Sequence, residues 1–241
     1  MKRSDSMTTI MAFLKNKTVQ QLFIFTFFQN LLWWVAGSTA ATGTPLATNI
    51  KVYLGGYGIL VAAGYFLILK RHFQSHIGPI LVVAAATLGL LAAPHDHLLQ
   101  LFAILLCVFL VLACVPQLGL QSAYGLVVFS FLAGCGVPVI LFFLRNHYLA
   151  TQFLMPMVPL VASYLVFFEP YYLTKERDWR WTLLTPVILI LTLFTLGFSW
   201  QVLIAGILAL AYWWLQPKIN DNYRLVTTSV VQLILGLLIF D

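Results

Sequence analysis

Long apolar runs with few charges constrain this chain more than any single motif. Of its 241 residues, 61% are hydrophobic and 8% are charged, compared with about 45–50% and about 25% in soluble proteins. A soluble core of this size would not bury so much apolar surface. Because a helix needs about 20 mainly apolar residues to cross a bilayer, the sequence predicts an all-α, polytopic integral membrane helical bundle.

The apolar runs divide into about nine candidate spans, separated by short connections. They are residues 20–40, 52–69, 77–93, 98–118, 120–144, 148–168, 181–198, 200–215 and 225–240. The uncharged stretches 98–144 and 181–215 are each too long for one span, so each is divided into a helical hairpin. We therefore expect a single transmembrane helical domain over residues 20–241.

The distribution of Lys and Arg predicts how these spans are oriented. With the N-terminus inside, only Lys51 and Arg145 of the 13 basic residues fall on the outer side. Short cytoplasmic loops carry such an excess of basic residues. We therefore expect the N-terminus inside, the C-terminus outside, and the protein in the cell membrane.

Residues 1–19 precede the first span and are predicted to be a cytoplasmic segment. Apolar residues recur at helical spacing from Met7 to Leu14, next to Lys15 and Lys17. This pattern permits a short amphipathic helix on the inner membrane surface. The apolar run that follows is longer than the h-region of a cleaved signal peptide, so we interpret it as a retained span.

The charged side chains disfavour several functions. All seven carboxylates lie at or beyond the end of a span, whereas proton and cation relays use acidic residues inside the membrane. Ion-coupled transport through such a residue is therefore disfavoured. The basic residues lie at the ends of apolar runs and form no patch interleaved with exposed aromatic residues, so we expect no nucleic-acid partner.

Uncharged polar residues inside the spans are the first candidates for a functional site. Gln29 and Asn30 lie in the first span, and Gln152 lies in the sixth. Such residues commonly join helices through hydrogen bonds, and this structural role is the favoured interpretation. The functional alternative is a polar lining for a pathway that a solute or lipid head group would follow.

Helix-breaking residues in two consecutive spans are the second candidates. The sixth span contains Pro156 and Pro159, and the fifth contains Gly134 and Gly136 before Pro138. Because proline removes an intrahelical hydrogen bond, we expect both helices to be interrupted near mid-membrane, as interrupted helices form many transporter sites. The interpretation slightly favoured over a transporter site is that the glycines allow close helix packing and the prolines only kink the helices.

No catalytic or metal-binding motif is evident, so an enzymatic role is disfavoured and no metal or cofactor is expected. The three cysteines lie in apolar runs without metal-ligand spacing. The weak catalytic candidate is Glu169, which follows an apolar run and precedes Pro170. Since the helix dipole opposes a carboxylate at a helix C-terminus, we expect a salt bridge from Glu169 to Lys175, Arg177 or Arg180 in its own loop.

These observations favour a small permease-like transporter of a neutral, amphipathic or lipidic solute. One alternative is a non-catalytic membrane subunit of a larger complex, such as the permease of an ATP-driven exporter or an immunity or assembly factor. Its protein partner, for example a separately encoded ATPase, would bind the inner loops at residues 70–76 and 171–180. A further alternative is an interfacial lipid-modifying enzyme that uses Glu169 with Arg177 or Arg180. Membrane lipids are expected partners throughout.

Overall fold

The computed structural model describes residues 16–94, 96–173 and 179–240. Within these ranges the chain forms nine α-helices and no β-strand, which confirms the predicted all-α fold. Residues 1–15, which carry the predicted amphipathic helix, lie outside the described residues. The same is true of Lys175 and Arg177, two of the expected partners of Glu169.

The helices coincide with the predicted apolar segments to within a few residues. They are α1 (Lys17–Ser38), α2 (Thr48–Lys70), α3 (Ile77–Ala92), α4 (His97–Ala113), α5 (Ala123–Asn146), α6 (Thr151–Tyr172), α7 (Trp179–Phe194), α8 (Trp200–Leu215) and α9 (Asp221–Phe240). Both long uncharged stretches form two helices each, α4 with α5 and α7 with α8. A 3-10 turn, Pro116–Leu118, lies between the first two.

Among the described residues, four helices are long and apolar enough to cross a membrane: α2, α5, α6 and α9. Shorter apolar helices include α3, α4 and residues 182–194 of α7. A helix of 16 residues, the length of α3 and α8, measures about 24 Å, whereas the hydrocarbon core is about 30 Å thick. The chain therefore has the helices of a membrane protein, and the count of nine spans remains a prediction.

Each helix also exposes large apolar side chains on its outer face. Examples, one from each helix in order, are Phe23, Val52, Ile80, Leu101, Phe131, Val158, Leu191, Ile207 and Leu237. Soluble monomers rarely expose apolar surface in extended patches. An outer surface of this kind is suited to contact with lipid.

Helix α1 packs against three other helices, α2, α5 and α9. Consecutive helices also pack against each other, and α6 contacts α8 and α9 in addition. The inward face of α1 carries Phe25, Gln29, Leu32, Trp33 and Ala36, all fully buried. Their spacing of three or four residues places them on one side of the helix.

The predicted interruption of the fifth and sixth spans is wrong. Helix α5 continues through Pro138, and α6 continues through Pro156, Pro159 and Pro170. The missing N–H of Pro138 removes the usual donor to the Gly134 carbonyl, but the helix is not opened there.

Packing against neighbouring helices explains why α5 stays intact. A Cβ atom at Gly134 would lie 3.0 Å from the Cα atom of Val161, so glycine lets α5 approach α6 closely. One residue earlier, the carbonyl of Ala133 accepts a hydrogen bond of 2.7 Å from the Trp33 indole on α1. A neighbouring side chain can satisfy carbonyls near a proline in this way, and close packing is the alternative that the structure favours.

A second close approach joins α2 to α3. A Cβ atom at Gly64 would lie 2.5 Å from Val82 Cγ2 and 3.1 Å from the carbonyl oxygen of Gly78. In the same helix, a Cβ atom at Gly55 would have no atom within 4 Å. These two glycines therefore provide a matched test of the packing.

We expect Gly64→Val to destabilise the protein by about 1–3 kcal/mol, the usual cost of overpacking. Gly55→Val, the control in the same helix, should not lower the stability. Thermal unfolding of the two purified variants in mild detergent measures the difference. Equal melting temperatures would show that the close contact between α2 and α3 is not formed.

Candidate functional site

Gln29 lies in the centre of the bundle, where it joins α1 to α6. Its side chain is fully buried, and its amide nitrogen donates a hydrogen bond to the hydroxyl of Tyr164. One residue earlier on α6, the Ser163 hydroxyl accepts a hydrogen bond of 3.3 Å from the amide of Gln232 on α9. These bonds connect three helices, as expected of the structural role of buried amides.

Aromatic rings surround this polar centre. The ring of Tyr164 stacks on Phe168, with centroids 5.6 Å apart, and Phe129 lies edge-on to both. Tyr65 on α2 also lies edge-on to Phe129 and Phe168. Rings at these distances are in packing contact. The centre of the bundle is therefore mainly a hydrophobic core.

Some polar atoms in this core keep unused hydrogen-bonding capacity. Within the described part of the chain, Gln29 Oε1, Gln232 Oε1 and the Tyr65 hydroxyl are buried without a partner. Leaving such an atom unpaired costs about 1–3 kcal/mol.

The other two polar candidates lie away from Gln29 Nε2 and its partner. Asn30 is half-buried, and its Oδ1 atom, which has no partner among the residues described, lies against Gly58 of α2. Gln152 is exposed at the start of α6, 12 residues before Tyr164, which corresponds to about 18 Å along the helix. The three side chains therefore do not form one continuous polar lining.

A cleft of about 240 Å³ lies instead at one end of the bundle. The end of α6, the first turn of α7, the end of α8 and the start of α9 meet there. Its lining residues are Val166, Glu169, Pro170, Leu173, Thr182, Trp213, Gln216, Pro217 and Arg224. The helix-breaking candidates Gly134, Gly136, Pro156 and Pro159 are not among them.

Glu169 forms the acidic side of the cleft. It is only 6% exposed, and its Oε2 atom accepts a hydrogen bond of 2.6 Å from the hydroxyl of Thr185, which is fully buried on α7. Thr182 and Thr185 are one turn apart in α7. This threonine pair in an apolar segment is the signal that sequence reasoning missed, because it considered only basic partners.

Arg224 forms the basic side of the cleft. Its Nη2 atom lies 2.6 Å from Asp221 Oδ1 and 3.2 Å from the carbonyl oxygen of Ile219. Its Nε atom is buried and has no partner in the ranges described. In the sequence this arginine counted only as one of the inner basic residues. The fold places it on the same cleft as a buried carboxylate 55 positions earlier, Glu169.

The remaining contacts hold the cleft in shape. The amide of Gln216, which is buried, donates a hydrogen bond of 2.7 Å to the carbonyl of Phe167 on α6. The hydroxyl of Tyr212 on α8 lies 2.7 Å from that of Thr228 on α9. The ends of α6, α8 and α9 are thus connected through side chains, which positions Glu169 and Arg224 on a common cavity.

The cleft is suited to bind a polar group that carries a positive and a negative charge. A carboxylate attracts a cation and a guanidinium attracts an anion, and guanidinium groups bind phosphate or carboxylate well. In the part of the chain that the structure describes, no group of three His, Cys, Asp or Glu side chains could hold a metal ion.

No protein-family model matches this sequence, and comparisons with curated proteins and with solved structures found no match. The functional argument therefore depends on the residues of the cleft and on the bundle that positions them.

The polar centre can be tested with two tyrosines. Tyr164→Phe removes the acceptor of the Gln29 amide and leaves a buried donor unpaired. We expect a loss of about 1 kcal/mol, between the ~0.6 kcal/mol typical of hydrogen bonds between membrane helices and the upper values for unpaired buried groups.

Tyr65→Phe is the matched control, because it removes a buried hydroxyl that has no partner among the described residues. It should be neutral or slightly stabilising. Unfolding of both variants in mixed detergent micelles gives the two free energies. If the two substitutions cost the same, the Gln29–Tyr164 bond is not a stabilising contact.

Proposed function

We propose that this chain is a polytopic protein of the cell membrane with nine spans. Its N-terminus lies inside, its C-terminus outside, and it transports a neutral, amphipathic or lipidic solute whose polar end binds in the cleft. The apolar outer face of every helix supports the membrane location. Helices α3, α4, α7 and α8 are shorter than the hydrocarbon core is thick. They span the bilayer if flanking residues extend the apolar segment or the bilayer is locally thinner.

Interfacial side chains support the proposed orientation. Lys218, just beyond α8, lies over the ring of Trp214, 3.4 Å from its centroid. At the end of α2, the Lys70 ammonium donates a hydrogen bond to Gln21 near the start of α1. Lysine and tryptophan concentrate at membrane interfaces, with lysine on the inner side. The cleft belongs to this same inner end.

The single observation that carries the functional proposal is the pair of opposite charges in one small cleft. Glu169 would repel a solute with net negative charge near it, while Arg224, whose charge Asp221 partly balances, would attract an anionic group of that solute. A net-neutral solute with separated charges can satisfy both groups at once. Since Glu169 is nearly buried, this interaction is weakened less by solvent than one between exposed charges.

The size and lining of the cleft support an amphipathic solute. Ligand pockets commonly measure about 300–1,000 Å³, and this cleft, at about 240 Å³, would hold a head group rather than a whole lipid. Val166, Leu173 and Trp213 provide apolar walls beside the two charges. The rest of the solute would then extend out of the cleft towards the bilayer.

The orientation predicts the location of the C-terminus. A reporter enzyme that is active only outside the membrane should be active when fused after Asp241. The same reporter fused between residues 72 and 76, in a predicted inner connection, should be inactive. If the C-terminal fusion is inactive and the internal one is active, the orientation is the opposite of the proposed one. If neither fusion is active, both positions lie inside and the chain has one span fewer than proposed.

Removing either charge in the cleft should weaken binding of the solute. Loss of one hydrogen bond to a charged group costs about 1.5–3 kcal/mol, so Glu169→Gln and Arg224→Gln should each lower affinity for a zwitterionic lipid by about tenfold or more. Lys218→Gln is the control, because Lys218 lies at the same end but does not line the cleft.

Transport of fluorescent lipids in proteoliposomes that contain each variant measures how far the substitution weakens binding of the solute. Zwitterionic, anionic and cationic head groups should be compared, and the wild type should prefer the zwitterion. If both cleft variants behave like Lys218→Gln, the cleft is not the binding site. If the lipid is chemically altered rather than moved, and Glu169→Gln abolishes that conversion, the interfacial-enzyme alternative replaces the transporter.

A further inference from the structure

We propose that the solute is an acylated zwitterion, a phospholipid with a phosphate and a primary ammonium in its head group. Its head group binds in the cleft, and one of its acyl chains lies in an apolar groove between α7 and α8. This proposal depends on the proposed function, since it requires that the cleft bind the polar end.

The groove has a volume of about 180 Å³ and an entirely apolar lining. The lining residues are Ile190, Leu193 and Phe194 of α7, with Val202, Leu203, Gly206, Ile207 and Leu210 of α8. None of these side chains has a group that could bond a polar ligand. Hydrocarbon is therefore the chemistry that fits the groove.

The groove and the cleft lie on the same face of both helices. On α8, the groove residues Leu203, Gly206 and Leu210 are followed after three residues by Trp213 of the cleft. Spacing of three or four residues keeps side chains on one face of a helix. An acyl chain attached to a molecule in the cleft would therefore run along this face of α8 towards the groove.

Helix α7 shows the same continuity. Thr182 lines the cleft, and Leu193, 11 residues or about three turns further on, lines the groove on the same face of α7. Thr182 and Phe194 are 12 residues apart, which corresponds to about 18 Å. In the proposed orientation this face runs from the inner end of α7 to Phe194, its last residue. An acyl chain bound along it would therefore extend past the middle of the bilayer.

The two charges of the cleft indicate which head group fits. A phosphate ester suits the Arg224 guanidinium, which binds such oxygens with directed N–H groups. A primary ammonium can donate hydrogen bonds to the Glu169 carboxylate, whereas a trimethylammonium group has no N–H to donate. An ethanolamine-type phospholipid satisfies both residues and still has acyl chains for the groove.

Gly206 keeps the groove open. A Cβ atom there would already lie 3.4 Å from Ile190 Cδ1, so a large side chain would occupy the space of the acyl chain. Because lipid tails are as apolar as the groove, the hydrophobic effect alone does not drive a chain into it. The groove instead acts through van der Waals fit, and it selects molecules that carry a chain next to the head group.

The experiment compares an acylated ligand with its deacylated head group. Dioleoyl phosphatidylethanolamine and glycerophosphoethanolamine are titrated into the purified full-length chain, and binding is followed by native mass spectrometry and thermal shift. Gly206→Trp fills the groove. Ile204→Trp adds the same side chain to an exposed position of α8 that does not line it.

We expect Gly206→Trp to lower affinity for the acylated lipid by about tenfold, equivalent to about 1.4 kcal/mol. Affinity for glycerophosphoethanolamine should not change, and Ile204→Trp should change neither. Ile207→Trp, at an exposed position that does line the groove, should reproduce the loss if Gly206→Trp fails to fold.

Three outcomes would overturn the proposal. If filling the groove leaves the acylated lipid bound as tightly while the deacylated head group still binds, the groove is not used and the cleft remains the binding site. If phosphatidylglycerol binds as tightly as phosphatidylethanolamine, the protein holds only surrounding bilayer lipid. If neither ethanolamine probe binds the wild type, the proposed function fails together with this inference.

Discussion

Three side-chain hydrogen bonds connect helix α1 to its neighbours. Gln21 accepts from Lys70 on α2, Gln29 donates to Tyr164 on α6, and Trp33 donates to the backbone of α5. Each bond reaches a different helix, and α1 also packs directly against α9. In an apolar environment helices gain little from burying further apolar surface, so directed polar contacts and close fit determine which helices become neighbours.

The close fit is most evident at small residues. Gly134 brings α5 against Val161 of α6, and Gly64 brings α2 against α3. With these contacts in place, α5 and α6 continue through their prolines without a break. A proline needs a neighbouring group to compensate for the lost intrahelical bond, and the Trp33 indole bonds the carbonyl adjacent to the one affected by Pro138. The centre of the bundle is therefore suited to stability rather than to passage of a solute.

Function is better sought at the end of the bundle, where four helices leave a cleft between their termini. Charged residues are tolerated there, because helix ends lie near the membrane surface. The same region carries the Glu169–Thr185 bond and the Asp221–Arg224 ion pair. The α7–α8 groove leads away from it on an apolar face. Together they form a surface that is polar at one end and apolar along its length, like the amphipathic solute proposed to bind there.

The amino-acid sequence was sufficient to predict the helices but little of their polar packing. Apolar runs and the charges between them are local properties of the chain. The segments could therefore be placed to within a few residues, and Gln29 could be assigned a structural role. Continuity of α5 could not be predicted in the same way, since it depends on Val161 of α6 and Trp33 of α1, which belong to other helices. Glu169 was identified as a weak candidate, but its partner Thr185 and the arginine of the same cleft, Arg224, were not. Their association requires α6, α7 and α9 to end at the same place, and only packing of the whole bundle brings residues so distant in the chain onto one cleft.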